Sequence, residues 1–111
     1  MMAAIAFLAA AAAVAPPRSV PVPACAADAS RQALKLLRFH VDGDDRATVD
    51  PTSVRRVGTV AALVGKHRFD VLEVWGHVYK GDYRMRLIYA RMSDRSCVLM
   101  GQEIFEFSDP Y

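Results

Sequence analysis

The chain has 111 residues, which is room for one domain and too little for two. Its 14 Lys and Arg nearly balance 12 Asp and Glu, giving a net charge of +2. That balance excludes the strong basic excess of a dedicated nucleic-acid binder, so no nucleic-acid partner is expected.

Residues 3–15 form an alanine-rich apolar run. It is too short to span a bilayer, which takes about 20 residues. It matches the roughly 7–15 residues of a signal-peptide hydrophobic region. The reading is therefore a signal peptide with a Pro-rich cleavage region over 1–24, then one small α+β domain over 25–111. The mature chain is expected to be exported, periplasmic or secreted, with no transmembrane segment. No Lys or Arg precedes the run, so either the signal is unusual or the true start lies upstream of Met1.

Small residues offer three cleavage points. Ala13-Val14-Ala15 is followed by Pro16, which obstructs cleavage. Val22-Pro23-Ala24 leaves Cys25 at the new N-terminus, and Ala24-Cys25-Ala26 removes it. Lipidation of Cys25 is a further alternative, strained by Pro17, Arg18, Pro21 and Pro23 between the run and the cysteine. The competing reading is a buried N-terminal helix of a cytosolic protein. Alanine offers little area to bury and Pro16-Pro17 ends the run abruptly, so export is preferred. Cleavage after Ala24 removes one charge, Arg18, and leaves 13 basic against 12 acidic residues. Cys25 and Cys97 are the only cysteines, and in an oxidising compartment they are expected to form one disulfide tying the N-terminal arm to the last strand.

The four prolines of 16–24 predict an extended arm. A helix follows over about Ala26 to Val41, capped by Asp28 or Ser30, with Ala33, Leu34, Leu37 and Val41 at helical spacing. Leu36 and Phe39 are expected to widen its apolar face, and Arg31, Lys35 and Arg38 to take the solvated side. From Asp42-Gly43 a loop is expected through Asp50-Pro51. Its aspartates fail the EF-hand pattern: counted from Asp42, the sixth position is Ala47 and the twelfth Ser53, where glycine and glutamate are required. No metal site is assigned.

Val54 to Val64 alternates as a first strand, and Gly65-Lys66-His67-Arg68 reads as the turn after it. Three blocks then follow, 69–79, 82–92 and 97–107, dense in Val, Ile, Tyr, Phe and Trp and split by turn residues. The fold class is α+β: one N-terminal helix packed on an antiparallel β-meander of about four strands. By alternation Leu72, Val74, Gly76 and Val78 lie beneath the helix, while Phe69, Val71, Glu73, Trp75, His77 and Tyr79 face away. Tyr83, Met85, Leu87 and Tyr89 oppose Arg84, Arg86, Ile88 and Ala90. Val98, Met100 and Ile104 oppose Leu99, Phe105 and Phe107. Gly101 marks a bulge or a close packing point.

No nucleophile elbow, phosphate loop, zinc cluster or Cys-x-x-Cys is present, so no catalytic residue or cofactor is assigned. The mixed face of Trp75, His77, Tyr79, Arg84 and Arg86 is the candidate binding surface, since Arg beside aromatics suits anionic ligands and protein hot spots. Cross-strand pairing of those arginines with Glu73, Glu103 or Glu106 is the plainer account of the same residues. The functional expectation is a small exported binding or interaction module of the cell envelope, without catalysis, for a partner protein or small anionic ligand. The alternatives are a structural homodimer that buries one sheet face, and a small hydrolase using His77 with Glu73 or Glu103.

Overall fold

A computed structural model describes Ala4, residues 22–79 and residues 81–107. The expected signal segment lies outside them, apart from Ala4, Val22, Pro23 and Ala24. Helix α1 (Ala26–His40) lies on one antiparallel sheet of β1 (Thr48–Ala61), β2 (Arg68–Val78), β3 (Gly81–Arg91) and β4 (Cys97–Phe107), in the spatial order β1-β2-β3-β4. This is the expected α+β meander under an N-terminal helix.

The helix is built from good helix formers and buries a stripe of Ala29, Ala33 and Leu37 at four-residue spacing. Neither Asp28 nor Ser30 caps it. Cys25 holds the N-cap in a left-handed conformation (φ 67°) without a side-chain cap hydrogen bond, and its disulfide ties this helix start to Cys97. Asp28, one turn in, instead accepts a 2.7 Å hydrogen bond from the Tyr89 hydroxyl. Asp42 and Gly43 both turn left-handed and end the helix, and the Gly43 amide donates to the Arg38 carbonyl at 2.7 Å. Leu34, Leu36 and Val41 pack at the margin of the core. Phe39 does not join them: it is 85% exposed, because its position falls on the helix side away from the sheet.

Strand β1 starts six residues earlier than expected and stops at Ala61, not Val64. Pro51 misleads the sequence reading. It sits in an irregular stretch where five steps of β1, from Asp50 to Arg55, oppose two of β2, and an edge strand tolerates proline there. Asp50 organises this stretch, accepting from the Thr52 amide at 2.9 Å and the Thr52 hydroxyl at 2.6 Å. At the other end the Ala62 amide donates to the His67 carbonyl at 2.9 Å and closes a loop around Gly65.

The core lies between α1 and the helix-side row of the central strands: Leu72, Val74, Gly76 and Val78 from β2, with Tyr83, Met85, Leu87 and Tyr89 from β3. Gly76 is required by the crossing helix. A Cβ there would stand 2.8 Å from Leu37 Cδ2, 2.9 Å from Met85 Cε and 3.0 Å from the Thr48 carbonyl oxygen. In β4 the pairing slips at Met100, which is the extra residue between Leu99, opposite Tyr89, and Gly101, opposite Ile88. The bulge flips the strand's first residues, so Leu99 joins Ile104 against the core and Val98 moves to the side of Phe105 and Phe107. The arm is stapled to this same strand by the Cys25–Cys97 disulfide, with Cα atoms 5.7 Å apart.

Candidate functional site

Towards the β2–β3 turn, the sheet face turned away from α1 carries three rows of polar and aromatic side chains across the strands, and beyond them lies the apolar row of Val71 and Ile88. The first runs Arg55, Glu73, Arg86, Glu103, alternating in charge from β1 to β4. The second runs Asp50, Trp75, Arg84, Phe105, and the third Thr48, His77, Asp82, Phe107. Strand alternation puts these residues on one face, and the hairpin register decides which of them meet.

Glu73 is the anchor. Its side chain is only 2% exposed although it lies on the face without a helix. Arg55 and Arg86 each reach one of its oxygens at 3.2 Å, and the Trp75 indole N–H donates to Oε1 at 3.1 Å. Burial raises the carboxyl's pKa, but the donors from Trp75, Arg86 and Arg55 outweigh it and hold Glu73 below its ordinary range, ionised at neutral pH. The buried charge is thus paired, and it fixes the rings and guanidinium groups above it.

Those groups stack. The Arg84 guanidinium lies 4.8 Å from the Trp75 ring centre and 4.8 Å from that of Phe107. Arg86 lies 5.0 Å from Phe105, and Arg55 6.0 Å from Trp75. Arg86 also approaches Glu103 at 3.9 Å. Arg84 differs from its neighbours. Among the described residues it makes its contacts to rings and has no carboxylate within ion-pairing distance. It borders a recess of ≈ 200 Å³ between Trp75, His77, Asp82 and Phe107.

Of the five candidate residues, Trp75, Arg84 and Arg86 share this surface. His77 stands at its end, with Nδ1 2.6 Å from Asp82 Oδ1; neither Glu73 nor Glu103 is its partner. Tyr79 is not on the face. It is a corner residue of the two-residue turn between Val78 and Gly81, with φ 53°, and its ring lies 5.2 Å from the Arg46 guanidinium. Glu106 turns to the helix side and accepts a 3.3 Å bond from the Tyr83 hydroxyl. The residues the sequence reading left out of the site are Phe105, Phe107 and Asp82. Their alternation was readable, but their place opposite Arg84, Arg86 and His77 depends on the β3–β4 and β2–β3 registers.

No group of three or more His, Cys, Asp or Glu able to hold a metal occurs among the described residues. No helix among them is long and apolar enough to cross a membrane. The disulfide is compatible with an oxidising compartment. Comparison with known proteins gave no matching family model, curated protein or solved structure.

Proposed function

We propose that this protein is an exported binding module of the cell envelope that holds a carboxylate-bearing partner protein on the open face of its sheet and carries out no reaction of its own. The observation that carries the reading is Arg84, clamped between Trp75 and Phe107 with no carboxylate of its own beside a small recess. A cation already held in place and partly desolvated by rings loses little entropy on meeting a carboxylate, and aromatic and Arg residues dominate protein hot spots. Export is supported by the apolar run over 3–15, the small residues before Cys25, and the disulfide. The hydrolase reading has less support, since both Glu73 oxygens are taken by arginines and His77 faces Asp82.

Native mass spectrometry of the protein recovered from the cell envelope tests this. Wild type is expected to carry the extra mass of a second polypeptide, and Arg84→Glu to lose it. A bare wild-type monomer, or a complex that Arg84→Glu leaves intact, sinks the proposal. A mass twice that of one chain favours the second reading, a structural homodimer. That reading is supported by β4, a long edge strand carrying exposed Phe105 and Phe107.

A further inference from the structure

We infer that the end of the molecule formed by the β1–β2 and β3–β4 loops docks on an anionic phospholipid surface, inserting Leu63 and Val64 at the headgroup level. This surface is separate from the Arg84 site. In an antiparallel meander these two loops share one end of the sheet, and the β2–β3 turn, with Tyr79 and the neighbouring His77–Asp82 pair, lies at the other.

Leu63 is 103% exposed and Val64 87%, the highest exposures of any large aliphatic residues among those described. Nothing in the fold explains two such side chains side by side. They sit in a loop closed at its base by the Ala62–His67 backbone bond and turned by Gly65 at φ 82°, so the tip is held out from the sheet. Met92, on the adjacent β3–β4 loop, is exposed and lines one groove with Val64, Lys66 and Arg68.

The charge around the tip complements an anionic surface. Lys66 and Arg68 follow it directly, and Arg95 lies on the neighbouring loop; all three are exposed, and Asp94, held ionised by its Ser96 hydrogen bonds, sits beside Arg95 and opposes part of its charge. Arg68 spends its hydrogen bonds on Thr59 and keeps its charge unneutralised. Arg56 and Arg91 stand close by and share the single carboxylate of Asp70, so this cluster adds a net charge of +1. A small apolar wedge at a net basic end of the molecule is the pattern of an interfacial anchor: the wedge enters the acyl boundary and the cations remain with the lipid phosphates.

A third observation fixes the same end. The described chain enters the domain there: Pro23, Ala24 and Cys25 line a second groove with Met92 and Arg95, and the disulfide holds them in place. Residues 23–25 are thereby held at the end that carries the wedge.

Vesicle co-sedimentation of the proposed exported chain from Cys25 onward, which contains the whole fold, tests this, comparing all-phosphatidylcholine vesicles with vesicles containing phosphatidylglycerol. Wild type is expected to partition about tenfold or more in favour of the anionic vesicles, with the preference falling as salt rises. Leu63→Ser with Val64→Ser, which removes apolar area without changing charge, is expected to reduce partitioning to the anionic vesicles about tenfold. Lys66→Glu with Arg95→Glu is expected to abolish the anionic preference. These side chains are exposed, so thermal unfolding should match wild type in every variant. The N-terminal apolar run is absent from all of them, so partitioning reports the domain alone. Equal partitioning of the Leu63/Val64 variant and wild type overturns the inference, as does equal partitioning of wild type onto neutral and anionic vesicles. Failure here leaves the Arg84 proposal standing, because its readout is a partner polypeptide.

Discussion

Leu37 of the helix rests directly on Gly76 of the sheet, so close that a methyl group on Gly76 would lie 2.8 Å from Leu37 Cδ2. The two residues set how near α1 approaches β2, and Leu37 is fully buried as a result. Gly76→Ala is expected to destabilise the fold by about 1–3 kcal/mol, the usual cost of overpacking. The side-chain neighbours can shift, but the Thr48 carbonyl oxygen, 3.0 Å from the added carbon, belongs to the β1 backbone. In urea unfolding, Gly76→Ala combined with Leu37→Ala should cost less than the sum of the two single changes, because the cavity left by Leu37 accepts the methyl. Strict additivity would show that the helix does not bear on this glycine.

Glu73 makes stability depend on acid. Its folded carboxyl is held below the ordinary range despite burial, by Trp75, Arg86 and Arg55. A depressed folded value means that the stabilisation is fully present above the unfolded value, about 4.3, and is lost as pH falls through the folded one. Asp70 acts in the same direction through its bond to Arg91, with Arg56 adding to it and burial opposing. Wild type should therefore lose stability as pH falls from about 5 to 3, and Glu73→Gln should flatten part of that slope without removing the share from Asp70. At pH 7 the glutamine variant is expected to be about 1–3 kcal/mol less stable, since an amide donor faces the two arginines where a carboxylate stood. Denaturant titrations across this pH range check both points.

The Cys25–Cys97 disulfide spans 72 positions of sequence and closes most of the domain into one loop. In the chain-entropy model that constraint is worth roughly 4 kcal/mol. Reduction, or replacement of both cysteines by serine, should lower the unfolding midpoint markedly. Unreduced protein should show no free thiol on denaturation. Two reactive thiols would contradict the pairing directly.

Most of the fold was legible because β2 and β3 alternate cleanly: residues 72–78 give the row under the helix and its opposite, and residues 83–90 give two opposed rows, whose sides the structure then settles. Legibility failed where the backbone departs from regular geometry. Met100 inserts one extra residue and exchanges the sides of Leu99 and Val98, and no hydrophobic pattern reveals a bulge that swaps two apolar residues. Tyr79 reads as the last residue of a strand, yet the tight turn places it at a left-handed corner, normally left to Gly or Asn. Pro51 hides six residues of β1 because an irregular edge absorbs it. The site was half legible for the same reason. Trp75, Arg84 and Arg86 follow from alternation within their strands, whereas the stacking of Phe107 on Arg84 follows from a register that one chain's pattern does not fix.

Arg84 separates binding from folding. Its contacts are two ring faces at a partly exposed position, each worth about 0.5–1 kcal/mol at such sites. It closes no ion pair among the described residues, so removing its charge leaves no buried partner behind. Arg84→Gln should accordingly cost less than about 2 kcal/mol of stability. Glu73→Gln, by contrast, disturbs the group on which Arg55, Arg86 and Trp75 all converge, and should weaken both folding and binding. Trp75 is the only tryptophan of the chain, so its emission reports on this face alone. Thermal unfolding should rank Arg84→Gln near wild type, while recovery of the partner mass falls as it does for Arg84→Glu. If instead Arg84→Gln unfolds many degrees lower and still retains its partner, Arg84 is a structural strut and the partner binds elsewhere.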